Sequence, residues 1–145
     1  QINYMHANNI NVSHTSYYIV DDKEKILGRR PARNFFSLKE LLKSCDIGLS
    51  TVIIKKDLIS STIKFPTLKT KEDFVLWLKL QENNNRIYAL DEYLTFWTKS
   101  HNSLSSSTFQ KLSDGFKVYN KYMKFNLIKS LFFLLCLSVN FILKK

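Results

Sequence analysis

The sequence predicts a mixed α/β domain. Three observations predict it: short runs rich in β-branched and aromatic residues, apolar runs with helical spacing or capping signals, and the interleaving of the two without internal repeats. At 145 residues, 45% hydrophobic and 23% charged, the chain is long enough for one domain with a real core and falls outside the disordered class.

The elements follow in order. His14–Val20 is β-branched and aromatic and stops at the charged stretch Asp21–Lys25; Ile26–Arg29 comes next, so two strands joined by a polar turn form a hairpin. Ser37 stands three residues before Glu40 and ahead of Leu41 and Leu42, a capping box that starts a short helix over roughly residues 38–44. Gly48–Ile54 reads as a strand, β-branched in its second half, and a second short helix fits near Lys56–Ser60. Phe65-Pro66 breaks the pattern into a loop. Thr70 and Asp73 have the spacing of another capping box, opening a helix that runs to about Glu82 and ends at Asn83-Asn84-Asn85. Arg86–Leu90 and Tyr93–Thr98 are two strand candidates flanking Asp91-Glu92, and His101–Ser107 is a polar loop. From Thr108 a helix carries Phe109, Leu112, Phe116, Tyr119 and Met123 on one face. Leu127–Leu143 is apolar nearly all round. Its run after Lys129, at about 1.5 Å per residue, falls short of the roughly 30 Å hydrocarbon core of a bilayer. That leaves a helix lying at a membrane interface between flanking lysines, or one packed on the domain; the scarcity of polar positions favours the interface.

Composition narrows the chemistry. Only three Gly and two Pro are present, and there is no glycine-rich phosphate loop. Lys and Arg number 22 against 12 acids, a formal charge of +10 that favours anionic partners such as acidic lipid headgroups or phosphorylated substrates. Nucleic acid would also suit the charge and the eleven Phe and seven Tyr, but no recognition signature for it is present. Cys45 and Cys136 stand far apart, without zinc-site spacing or a disulfide framework, and are expected to stay reduced in cytosol. There is no N-terminal signal peptide, and the chain opens at Gln1 in a polar segment, which suggests a piece of a longer protein.

The acidic pair Glu72-Asp73 at the head of the helix containing Trp77 is the leading chemical candidate. Asp73 would either cap the helix or act as a general base on a substrate hydroxyl; Glu72 reads as a solvated first-turn acid. Trp77, one turn on, belongs to the core or stacks on a sugar. Ser50 and Thr51, after Gly48, either hold a polar substrate or serve ordinary strand structure. Loop His101 is a solvated side chain or a contact for a metal or phosphate oxygen, with no neighbouring ligand cluster; His14 and His6 are weaker candidates. Arg29, Arg30 and Arg33 around Pro31 are solvated or bind a diphosphate or an acidic headgroup.

Taken in order, Ser13–Asp21, Ile47–Ile54, Phe65-Pro66, Glu72–Leu78 and His101–Ser105 resemble the C-terminal half of bacterial family-2 glycosyltransferases of GT-A type, over roughly residues 10–125. The resemblance implies a partial GT-A-type mixed sheet flanked by helices, with a C-terminal apolar helix. It implies an acceptor-side half-domain over residues 1–100, a polar loop and amphipathic helix over 101–126, and an apolar membrane-interface helix over 127–145. It makes Asp73 the catalytic base and Glu72 its neighbour in an inverting transfer. The sugar would pass from a nucleotide-sugar donor to a glycan or lipid-linked acceptor, in bacterial surface polysaccharide synthesis. It sets Gly48, Ser50 and Thr51 beside the donor–acceptor cleft, and His101 in a loop that in some members approaches the metal or diphosphate. A divalent metal, Mn or Mg, is expected for the full-length enzyme. The family's Asp-x-Asp metal motif and its Ile/Val-rich first strand are absent here, and Asp21-Asp22 is a doublet in a hairpin turn. A truncated enzyme, inactive alone, is therefore expected, peripheral at the cytoplasmic face of the cell membrane. The alternative is a non-catalytic membrane- or partner-binding fragment of a degenerate transferase.

Overall fold

In a computed structural model, residues 1–60, 63–99 and 107–143 are described. They form an α/β fold: a four-stranded mixed sheet with helices packed against it. The strands are β1 (Val12–Val20), β2 (Ile26–Arg30), β3 (Ile53–Ile54) and β4 (Tyr88–Thr98). The helices are α1 (Ile2–Ala7), α2 (Leu38–Lys43), α3 (Glu72–Glu82), α4 (Thr108–Lys117) and α5 (Leu127–Leu143). Short 3-10 turns span Leu49–Thr51 and Lys56–Leu58, and a π-helical turn spans Val118–Tyr122.

β1 is the spine of the sheet. β4 runs parallel to it from Ser13↔Tyr88 to Val20↔Thr98 and so occupies one whole edge. β2 and β3 share the other edge, both antiparallel, at Tyr17–Val20 and Val12–Ser13 respectively. A parallel pair needs a long crossover, and here the connection from β1 to β4 carries α2 and α3.

The hairpin and α2 form as the sequence predicts. The Ser37 hydroxyl accepts the Glu40 N–H at 3.3 Å, and the Glu40 carboxylate reaches back to the N–H of Phe36 rather than to that of Ser37. Four expectations need correction. Residues 2–7, read only as part of a polar segment, form α1 and bury Met5. The strand expected over Gly48–Ile54 is a 3-10 turn followed by two strand residues, because the Thr51 hydroxyl and N–H both turn back onto the Gly48 carbonyl. The two strands around Asp91-Glu92 are one strand: those residues bulge from the ladder, and Asp91 accepts the Ser16 hydroxyl at 2.5 Å. Thr70 does not cap α3. The helix opens after Lys71, which sits in the left-handed region at φ 66°, while the Thr70 hydroxyl donates elsewhere.

α3 is the centre of the core. Phe74, Val75, Leu76, Trp77 and Leu78 are all buried, an apolar girdle enclosed on every side. The far end of α3 is tied to the sheet by Gln81, whose Nε2 donates to the Phe35 carbonyl at 2.6 Å, and Phe35 pairs with Ile87 next to β4. α4, the π-helical turn and α5 close the other side, where Tyr119 packs edge-on against Phe74 and stacks on Phe133. α5 therefore packs on the domain through Ser130, Phe133 and Leu137, the arrangement the sequence ranked second, while its opposite face stays exposed. Among the described residues, no helix is long and apolar enough to cross a membrane.

Candidate active site at the head of α3

Asp73 lies in the first turn of α3, half-buried. Its Oδ1 accepts the Phe74 N–H at 2.7 Å, so one lone pair satisfies a first-turn amide. Burial raises its pKa above the usual 3.8. The Phe74 N–H and the Lys71 charge pull it down and the Glu72 charge pushes it up, but burial wins. A carboxylate serving only as a helix cap would be stabilised in its charged form and shifted the other way. Here burial makes the group more basic than an ordinary carboxylate.

Beyond its own turn, the loop after α2 approaches Asp73 through Cys45. Cys45 lies within range of its charge, and burial first, then Asp73, pushes that thiol up to about 12, so it is a neutral neighbour. Both cysteines are free thiols. Asp46 is paired with Arg33 at 3.0 Å, and the Arg33 guanidinium lies 4.3 Å from the centre of the Phe35 ring. Cys45 and Asp46 in turn act on the Tyr17 hydroxyl, whose pKa is raised by burial and held back by Arg30 across the β1–β2 ladder. Gly48 sits against Tyr17: a Cβ there would come 3.0 Å from the ring, tighter than most real contacts, so a side chain would push the ring or the loop by a few tenths of an ångström. Cys45 is thus the link between the head of α3 and the Asp46, Tyr17 and Gly48 group. Sequence reasoning flagged the arginines but not Cys45, Asp46 and Tyr17, which carry no local motif.

The other candidates are placed as follows. Glu72 is half-buried beside Asp73. Ser50 is exposed in the 3-10 turn. Thr51 is buried; its hydroxyl donates to Gly48 O at 2.7 Å and its carbonyl accepts from Gln1 Nε2 at 3.1 Å, so its polar groups are engaged internally. Trp77 is 1% exposed and its indole N–H has no hydrogen-bond partner; stacking a sugar on this ring would require its neighbours to move. His101 lies outside the described residues. His14 is fully buried, with Nε2 2.9 Å from the Arg33 carbonyl and its pKa lowered by burial, as for a neutral core histidine.

An apolar hollow of about 330 Å³, lined by Leu49, Val52, Ile54, Ile59, Phe65 and the Leu76–Trp77 stretch, lies between the 3-10 turn and α3. A second, of about 500 Å³, lies at the opposite end of α3, between Phe36–Leu38 and Gln81–Arg86. Asp73 lines neither. Among the described residues, no three His, Cys, Asp or Glu side chains gather to hold a metal ion.

Over 137 residues, 93% of this chain, it is 31% identical to UDP-Glc:alpha-D-GlcNAc-diphosphoundecaprenol beta-1,3-glucosyltransferase WfgD of Escherichia coli, covering 52% of that protein. It is 28% identical over 114 residues to WfaP of Escherichia coli, which bears the same enzyme name, covering 77% of this chain and 43% of WfaP. It is 26% identical over 91 residues to TuaG of Bacillus subtilis, a glycosyltransferase by name placed in teichuronic acid biosynthesis, covering 63% of this chain and 36% of TuaG. Its relatives are named glycosyltransferases. The chain spans about half the length of WfgD and less of the others. No family model matches the chain, and no solved structure matches it significantly.

Proposed function

We propose that the chain is the acceptor-side half of a family-2 glycosyltransferase of GT-A type. It would transfer a sugar from a nucleotide-sugar donor to a glycan or lipid-linked acceptor in bacterial surface polysaccharide synthesis. The observation that carries this reading is Asp73: a carboxylate at the head of a rigid, buried helix, made more basic by burial, in a chain whose relatives are named glycosyltransferases. In an inverting transfer, the acceptor hydroxyl passes its proton to Asp73 as its oxygen attacks the anomeric carbon. The bond from that carbon to the diphosphate breaks, and the nucleoside diphosphate leaves with the electron pair. A raised carboxylate pKa strengthens the base, and a half-buried setting limits competition from water. Gly48 and Ser50 would border the cleft. The described residues do not form a metal cage, so a Mn or Mg ion aiding departure of the diphosphate would take its ligands from elsewhere.

The outward face of α5 supports a peripheral place for this half at the cytoplasmic face of the membrane. Ile128, Leu131, Phe132, Leu135, Val139 and Ile142 recur at helical spacing and are all exposed, and Lys124 and Lys129 stand at the start of the helix. A lipid-linked acceptor would be met at that surface.

The test is Asp73→Asn in the intact protein, assayed with a nucleotide sugar and a lipid-linked or glycan acceptor. Loss of a general base lowers kcat by roughly 100- to 10,000-fold. The expected result is a loss of that size with an unchanged thermal melt; retained transfer would return Asp73 to a capping role.

A further inference from the structure

A second carboxylate, far from Asp73 in sequence, grips the residue two positions before α3. Asp114, in the middle of α4, is 1% exposed. Its Oδ2 accepts both the N–H and the hydroxyl of Thr70, at 3.1 and 3.0 Å, and the Gln110 side chain at 2.8 Å; its Oδ1 accepts from Lys117 at 3.0 Å. Burial would raise its pKa, but these hydrogen bonds hold it down at about 2, so it is a fixed anion at any working pH. Thr70 is buried as well. The next residue, Lys71, takes a left-handed conformation that a lysine rarely adopts, and α3 starts at once with Glu72 and Asp73. Such a backbone persists where its surroundings over-determine it, and the double clamp on Thr70 does that from one side while the buried girdle of α3 does it from the other.

We propose that Asp114 is a positioning residue for Asp73: by gripping both donors of Thr70 it fixes the turn at Lys71, and with it the register and direction in which the Asp73 carboxylate is presented. The inference rests on the reading of Asp73 as the base. Local sequence rules argue against this part of α4, because an Asp-Gly pair is a poor choice for a helix interior. Both residues have tertiary reasons to be there. Asp114 clamps Thr70, and Gly115 admits α5 so closely that a Cβ would lie 2.9 Å from Leu134. Such conflicts between local preference and fold mark positions under another constraint.

The experiment compares Thr70→Val, Thr70→Ser and Asp114→Asn with Phe133→Leu, a core change on α5 that costs comparable stability without touching the clamp. Two readouts are taken on the intact protein: the titration of the Asp73 carboxyl by carbon-13 NMR, and kcat and KM for transfer. Thr70→Val adds and removes no charge, so a shift it causes reports geometry. The expected result is that Thr70→Val and Asp114→Asn move the Asp73 midpoint back towards the ordinary carboxylate value. Both should also lower kcat, by about 10- to 100-fold for a displacement near an ångström, with KM little changed. Thr70→Ser should behave as wild type, and Phe133→Leu should alter neither readout. If Thr70→Val and Asp114→Asn leave the Asp73 midpoint where Phe133→Leu leaves it, the proposal is overturned. If the midpoint moves while Asp73→Asn retains activity, the clamp stands and the base assignment fails, so the two failures are separable.

Discussion

α3 and α5 are both apolar helices, and the fold treats them in opposite ways. In α3 the five residues Phe74–Leu78 are buried on all sides, with none more than 2% exposed. In α5 one face is buried through Phe133 and Leu137, while Ile128, Leu135 and Ile142 on the other are 80%, 64% and 66% exposed. A helix enclosed all round has no freedom to rotate or slide, so the acids at its head are held as on a platform. A helix with two apolar faces and one partner leaves the second face for a different environment. In the proposed reading, the contrast separates the chemistry, at the head of α3, from the contact surface, on α5.

That contrast can be broken most strongly in the core. Leu78→Ala removes a fully buried side chain and should cost about 2–5 kcal/mol, whereas Leu135→Ala on the outer face of α5 should stay within about 0.5 kcal/mol. Denaturant midpoints with matched slopes check both; equal losses would mean that the outer face of α5 is also packed. Leu135→Lys sharpens the same comparison. It should leave the melt unchanged and weaken sedimentation with phosphatidylglycerol vesicles, while unaltered binding would remove α5 from the membrane reading. Point substitutions are needed here, because deleting α5 would uncover Tyr119 and the core.

A smaller effect follows from the clamp. Asp114 has a folded-state pKa lowered from 3.8 to about 2, so its stabilising contribution is complete above the unfolded value and is lost as pH falls from about 4 towards 2. Acid unfolding of the wild type should carry this dependence, and Asp114→Asn should flatten it over that window. An unchanged acid slope in the variant would show that Asp114 titrates as an ordinary surface acid.

Much of the architecture was legible locally. The β1–β2 hairpin, the cap at Ser37, and the α3 and α4 runs follow from alternation, helical spacing and capping chemistry. Two of the misreadings share one cause, a local polar signal answered by a distant partner. Asp91-Glu92 looks like a turn, but Ser16 of β1 satisfies Asp91 inside a continuous strand. Thr70 looks like a helix cap, but Asp114, 44 residues away, takes its hydroxyl. The acidic pair of the candidate site was visible from its place ahead of an apolar helix. Its neighbour Cys45 was not, because the loop after α2 reaches the head of α3 only in the folded chain.

The account turns on whether Asp73 is a basic, half-buried carboxylate or a capping acid that happens to begin a helix. A site-specific carbon-13 titration of its carboxyl decides between them. The account predicts a midpoint above 3.8, because burial outweighs the Phe74 N–H bond. A midpoint at or below 3.8 would mark the side chain as an ordinary cap and contradict its assignment as the base.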